Sequence, residues 1–452
     1  MNNIVIYGGS VLTMDQLNTV YMPGWVLVSG DRIVDLRKGQ PPQKVITRAT
    51  KIINATNKVV LPGLINGHTH LSQSFMRGLV DGVGLLDWLK HIRPVQAAMT
   101  PQDMELASLL GLVENLRCGV TSVVQHHKIA FSTEYVDASL KAARTVGLRI
   151  LLARGWRDSG DNKETLEELK CEMTRLVECW HGSANGRITI GFGPMVPWRC
   201  SEAMMRQTLR MARAWGLPTH IHIAETREEV EMFQQSCGLR HVEWLNKLGA
   251  LGPDVQLVHC VWVDDTELEY IAHSRSMVVH CPVSNMYLAS GIAPVRKMLD
   301  RQILVTLGTD GSASNNSQDM LATIKIAALL ARIGTGSAAA LMPDDVLHMA
   351  TVNGVHLFGR HDLGYLAVGN KADIIIVDLN TTHSTPVYSL TSALVHAASG
   401  SDVHTVIVDG RVLLDAGRVT TVDETTLLTE CREAASRLLE RVGMKLTLAN
   451  SH

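Results

Sequence analysis

The 452-residue chain is 46% apolar and 19% charged and carries a formal charge of −2. So neutral a balance, with no long basic run, excludes electrostatic attraction to nucleic acid or an anionic membrane and leaves a small molecule as the expected partner. Length and apolar content together suffice for one large domain and a smaller companion.

The first residues, MNNIVIYGGSVLTMD, show no basic stretch leading into a long apolar run. Nowhere do about 18 apolar residues follow one another, so no membrane partner is expected. Cys118, Cys171, Cys179, Cys200, Cys237, Cys260, Cys281 and Cys431 are scattered and never spaced C-x-x-C. That pattern fits reduced thiols and a cytoplasmic location better than a disulfide or zinc-finger framework.

In chain order, IVIYGGSVLTMD, GWVLVSGDRIVDL and KIINATNKVV read as strands and turns. Short β-branched runs then alternate with longer helical patterns: VVLPGLINGHTH, TSVVQHH, RILLARG, RITIGFGP, PTHIHIAE, VQLVHC, SMVVHCP and ILVTLGTD. Intervening segments such as PQDMELASLLGLVENLRCG place apolar residues at helical spacing and end in Gly, as capped amphipathic helices do. Eight strands alternating with helices predict an α/β fold, a (β/α)₈ TIM barrel. Towards the end, GNKADIIIVDL and HTVIVDGRVLLDAGRVT are again strand-like, and TTLLTECREAASRLLERVG is helical. Neither β-rich end buries a face alone, so both are expected to form one small flanking β-sandwich. The expected division is 1–58 and 366–420 for that sandwich, 59–365 for the barrel, and 421–452 for a C-terminal helix and tail.

Active sites of such barrels lie at the C-terminal ends of the strands. There the sequence offers His68 and His70 on strand one, His222 with Glu225 on strand five, His259 on six, His280 on seven and Asp310 on eight. In an extended strand residues i and i+2 share a face, so the H-x-H pair can reach one cation. His68, His70, His222 and Asp310 are the expected ligands of one divalent metal, Zn²⁺ first and Fe²⁺ as alternative, with a position left for water. Two-ion sites commonly need a bridging modified lysine at the end of strand four, and RITIGFGP has none.

A metal lowers the proton affinity of water, and a general acid–base group must then move protons to the leaving group. Glu225 is the candidate shuttle. His259 orients and polarises the water or ligates the metal, and Asp310 is both ligand and first base. Trp88, His280 and Asn285 are candidate substrate contacts, with core packing an equal role for Trp88 and a structural role equal for His280. His126 and His127, at the end of strand two, read as polar rim residues. Cys260 and Cys281 read as buried small apolar side chains.

PGLINGHTH, MRGL with DWL, HIAE, VHC, HCPVSNMYLASGIAPV, GTDGSASNNSQDM and GNKADIIIVDL together resemble the amidohydrolase superfamily over nearly the whole chain. The likeness is to its mononuclear cytosolic aminohydrolases, among them S-adenosylhomocysteine and methylthioadenosine deaminases, guanine-type deaminases and triazine hydrolases. It implies hydrolytic removal of an amine from a purine, pterin, adenosine derivative or aminotriazine, with the ligands and catalytic residues already named, in an expected homo-oligomer. One departure concerns substrate: nucleoside-processing members resemble one another in a GPH-type turn after strand four, where this chain has Met195. That change weighs against a ribosyl substrate. The rival expectations are loss of halide or alkylamine from a triazine-like ring, or a catalytically silent protein on the same fold.

Overall fold

The computed structural model describes residues 3–444. Its centre is an eight-stranded parallel sheet in sequential order: β1 (Leu64–Thr69), β2 (Val120–His127), β3 (Arg149–Trp156), β4 (Ile188–Pro194), β5 (Thr219–Ile223), β6 (Val255–His259), β7 (Met277–His280) and β8 (Val305–Leu307). β1, β2, β3, β5, β6, β7 and β8 are buried throughout and β4 at all but Thr189, as in strands covered on both faces. The expected barrel is therefore borne out.

β8 returns to β1 through tight backbone approach. Asp310 N–H donates to His68 O at 2.9 Å, and a Cβ on Gly308 would fall 2.7 Å from His68 N. Only glycine fits between them. Asn66 fastens the same seam: its Nδ2 donates to Thr309 Oγ1 at 2.8 Å and Asn115 Oδ1 at 2.9 Å, and its Oδ1 accepts Thr309 N–H at 3.0 Å.

The two chain ends form one nine-stranded mixed sheet. Lys58–Pro62 joins them, running parallel to Asn3–Leu12 and antiparallel to Ile374–Asp378. The sheet curls on itself: Arg32 bridges to Lys371, and Ile33 N–H donates to Asn370 O at 2.9 Å. Ile4, Ile6, Val26, Val28, Ile374 and Ile376 fill its interior. The flanking β-domain built from both termini is thus present, its two layers being parts of a single sheet.

VVLPGLINGHTH, expected as one strand, is two. Gly63 N–H bonds Asp373 O of the flanking sheet, and Leu64 N–H bonds Gly119 O beside β2. A Cβ on Gly63 would lie 2.1 Å from Thr121 Cγ2, so the chain passes from sheet to barrel where only glycine can. The helix Glu424–Arg441 packs back on the body through Leu427, Cys431, Ala434 and Leu438. No described helix is long and apolar enough to cross a membrane.

Where the flanking sheet meets the starts of β3 and β4, buried charges pair. Arg149 Nε lies 2.5 Å from Asp373 and its Nη2 2.9 Å from Asp409. Arg187 and Lys371 reach Asp409 at 3.1 Å and 2.9 Å.

Candidate metal centre and active site

Each strand end carries its side chain to the same rim. His68 and His70 flank the end of β1, with His70 still extended at φ −126°. His222 lies on β5. Glu225 sits in the turn that follows, immediately before the helix Arg227–Cys237, whose start is set by a capping box between Thr226 and Glu229. That cap ends the turn at Thr226 and leaves Glu225 outside the helix. Glu225 is 6% exposed, its carboxylate withdrawn from solvent. Ala224 (φ 48°), His259 (φ 73°) and Asp310 (φ 62°) all adopt the left-handed region. Non-glycine residues rarely do so, and such strain gathers at functional sites.

Four imidazoles are held in the same sense. His68 Nδ1 meets His220 Nε2 at 2.8 Å, His70 Nδ1 meets His126 O at 2.8 Å, His222 Nδ1 meets Met195 O at 2.9 Å and His259 Nδ1 meets Asn285 Oδ1 at 3.0 Å. A carbonyl accepts only from N–H, so for His70, His222 and His259 the proton is assigned to Nδ1 and the Nε2 lone pair faces the centre. His68 takes the same tautomer if His220 Nδ1–H donates to Gln256 Oε1, 2.7 Å away.

Those inward atoms crowd together. His70 Nε2 is 3.3 Å from His222 Nε2 and 3.3 Å from Asp310 Oδ1, and His68 Nε2 is 3.4 Å from Asp310 Oδ1. A tetrahedral ion bonded at about 2.0–2.1 Å needs ligand atoms about 3.3–3.4 Å apart. The spacing fits. His68 Nε2 and His259 Nε2 are buried with no hydrogen-bond partner, a costly arrangement unless a cation takes the lone pairs. Two overlapping sets, His68–His70–Asp310 and His68–His222–His259, hold their donor atoms within 4.8 Å of one another. The residues present therefore fit a divalent metal.

Electrostatics prepare the donors. Burial holds His68 down to about 4 against the pull of Asp310, and keeps His70 and His222 well below the ordinary imidazole range; neutral imidazole is the ligating form. Burial raises Asp310, but the His68, His70 and His259 imidazoles around it outweigh that and leave it well below the carboxylate range. Ser284 and Ser314 hydroxyls donate to its Oδ2 at 2.6 and 3.0 Å, and Gly311 N–H to its Oδ1 at 2.6 Å. Glu225 is pushed up to about 8 by burial and then by the Asp310 charge. Its Oε2 lies 3.3 Å from His259 Nε2.

The candidate substrate contacts are placed differently. Trp88 is buried and its indole N–H donates to Ala313 O at 3.2 Å, which gives it a packing role. Asn285 spends its Oδ1 on His259, as above. His280 is buried behind the rim, held down to about 3 by burial and then by His259. A cavity of about 470 Å³ opens onto His222 and Glu225, and none of these three residues lines it. His126 and His127 are likewise buried, not on a rim. Cys260 and Cys281 are buried, with their thiols raised by burial.

Lys128, which the sequence reading passed over, lines the cavity. Burial lowers it against the pull of Asp310 and Glu225. Its position one residue after QHH at the end of β2 was the available signal. His220 was also missed, although it stands two residues before His222 on the same face of β5.

The amidohydrolase family profile matches residues 59–413. The chain belongs to the amidohydrolase family. A 5'-deoxyadenosine deaminase of Methanosarcina acetivorans is 40% identical over 444 residues, covering 98% of this chain and all of that protein. Among solved structures, an adenosine deaminase from Xanthomonas campestris with bound zinc superposes with a TM-score of 0.90 at 28% identity, covering 97% of this chain and 99% of that one. An atrazine chlorohydrolase from Arthrobacter aurescens, complexed with zinc, superposes with a TM-score of 0.89 at 25% identity, covering 96% of this chain and 100% of the other. This family member is a hydrolase of non-peptide carbon–nitrogen bonds.

Proposed function

We propose that the chain is a metal-dependent deaminase of an amino-substituted nitrogen heterocycle, with His68, His70, His222 and Asp310 holding one Zn²⁺. The supporting observation is the set of inward Nε2 atoms beside Asp310, three of whose separations, 3.3–3.4 Å, match the edge of a metal tetrahedron. When bound, the ion supplies a Lewis acid that makes water nucleophilic near neutral pH.

The chain's own groups do the remaining work. Asp310, held ionised by Ser284, Ser314 and Gly311, accepts the proton that water loses as its oxygen bonds the ring carbon. Glu225, raised by burial, delivers a proton to the adjacent ring nitrogen and serves again when the carbon–nitrogen bond breaks and ammonia leaves. His259, its Nδ1–H anchored on Asn285, presents Nε2 as an acceptor that orients the water. Met195 gives its carbonyl to His222 and lines the cavity, so an apolar residue stands at the place of the GPH-type histidine.

Ammonia release from purines, pterins, nucleosides and aminotriazines by zinc-loaded protein tests the reading. No release from any of them, with about one equivalent of metal bound, overturns it. The likeness to the atrazine chlorohydrolase supports a second reading, displacement of halide or alkylamine, which chloro- and alkylamino-triazines in the same assay separate by their leaving group.

A further inference from the structure

Three arginines from three different segments line the cavity above Glu225. Arg93 comes from the helix Leu85–Ala97, Arg157 follows β3, and Arg199 ends the short turn Pro197–Arg199 after β4. None of the three side chains forms an ion pair or hydrogen bond with a described residue. Their neighbours behave otherwise: Arg154 is paired with Glu164, and Arg149 with Asp373 and Asp409.

The three face one another at a cost. Arg93 is lowered by burial and then by repulsion from Arg199, and Arg157 by burial and then by Arg199 and Arg93. Arg199 is fixed in place. Its guanidinium lies over the Trp198 ring, 4.9 Å from the centroid, and its Nη1 occupies the space where a Cβ on Gly160 would fall, 1.6 Å away. Its Nε is buried without a partner.

The acids that line the cavity do not neutralise this group. Asp161 attracts Arg93 and Arg157, and Glu164, itself paired with Arg154, attracts Arg157, but none of these contacts is an ion pair to Arg93 or Arg157. Glu229 accepts from the Trp198 indole N–H and Thr226 N–H, and Glu225 faces His259 and Ser290, so neither is spent on the arginines. Lys128 lines the same wall. Half-buried guanidinium groups gathered on one wall with no ion-pair partner form a ready receptor for an oxyanion, which they bind through paired N–H donors.

We propose that Arg93, Arg157 and Arg199 form a subsite for an oxyanion, a carboxylate or a phosphate, carried by the heterocyclic substrate on the side away from the amine that is removed. The proposal rests on the deaminase reading for the identity of the ring, and on the arginine geometry for the anion. The subsite sets which heterocycle enters. It takes no part in the bond-breaking step, so its contribution falls on KM.

Matched pairs test it: adenosine against adenosine 5'-monophosphate for the phosphate, and pterin against pterin-6-carboxylate for the carboxylate. Each is measured by steady-state kinetics and by calorimetric binding to the zinc-loaded protein. At least one anionic member should bind more tightly than its neutral partner by roughly tenfold or more, the scale of one charge-assisted hydrogen bond. The gain should appear in KM and not in kcat, and shrink as salt rises from about 50 mM to 500 mM. Arg199→Met and Arg157→Met should each bring the ratio within the pair back toward one, while Arg199→Lys, which keeps charge but loses the planar fork, should restore part of it. Which pair responds identifies the anion as phosphate or carboxylate.

Equal binding of both members of both pairs, no binding of either anionic probe, or a preference untouched by both methionine variants overturns the subsite. Anion-selective binding with no ammonia from any of the four leaves the subsite standing and counts against the deaminase reading. Turnover of both members with equal KM does the reverse.

Discussion

Where the flanking sheet meets the starts of β3 and β4, Arg149, Arg187 and Lys371 are buried against Asp373 and Asp409, and each cation has a carboxylate 2.5–3.1 Å away. At the opposite end of the same strands His68 Nε2 and His259 Nε2 are as deeply buried and have no partner. In the first arrangement every charge has an opposite charge within the chain, although Arg149 Nη1 and Arg187 Nε make no hydrogen bond, and the cluster contributes to stability and to the register of sheet on barrel. The second is complete only with something added from outside, which is how a fold stores binding capacity. Burial alone therefore does not separate a structural polar cluster from a functional one. Pairing does.

The comparison breaks if variants at the two ends have the same phenotype. The largest effect is expected at the open end: His222→Ala should lose the metal and with it activity to below detection, while circular dichroism stays that of the folded protein. Full metal occupancy in that variant would remove His222 from the ligand set. Next is the closed end, where Asp409→Ala leaves Arg149, Arg187 and Lys371 with uncompensated charge. Breaking a buried pair costs about 3–5 kcal/mol, so the urea midpoint should fall steeply while kcat at low denaturant is retained.

Glu225→Gln should keep the metal and lower kcat by about a hundredfold or more, near 2.7 kcal/mol of barrel-rim chemistry. Turnover at the unaltered rate would assign the proton shuttle elsewhere. A smaller effect concerns acid. Burial opposes ionisation of Asp409, but its bonds to Lys371, Arg149 and Asn185 prevail and hold it below the ordinary carboxylate range. A depressed folded value means that its stabilisation is present above the unfolded pKa of about 3.9 and is lost as pH falls below it. The stability gap between the natural chain and Asp409→Asn should therefore be constant from about pH 7 to 5 and narrow as the pH falls from about 4 toward 2. The smallest effect is Trp88→Phe, which deletes the N–H bonded to Ala313 O and should cost about 1 kcal/mol in the urea midpoint with KM unaltered; a raised KM would return Trp88 to the substrate site.

Much of this was legible before any coordinates. The alternation of β-branched runs with helical patterns specified the eight barrel strands, because period-two and period-3.6 apolar patterns are local properties of the chain. The same periodicity put His68, His70, His222, His259 and Asp310 at strand ends, where this fold gathers its rim. Glycine positions were less legible. Gly63 divides what reads as one strand only because Thr121 lies against it, a contact between residues 58 positions apart.

Sequence by itself determined the fold class, the chain-end origin of the flanking domain and the chemical kind of the site, since these follow from residue type and local repeat. Tertiary structure alone decided that His220 backs His68, that Trp88 packs inward on Ala313, that Lys128 enters the cavity, and that Arg93, Arg157 and Arg199 stand together with no ion-pair partner. Those facts depend on loops from distant segments converging over one barrel mouth, and on which charges find partners there. No local pattern encodes the distance between side chains that meet only when the barrel closes.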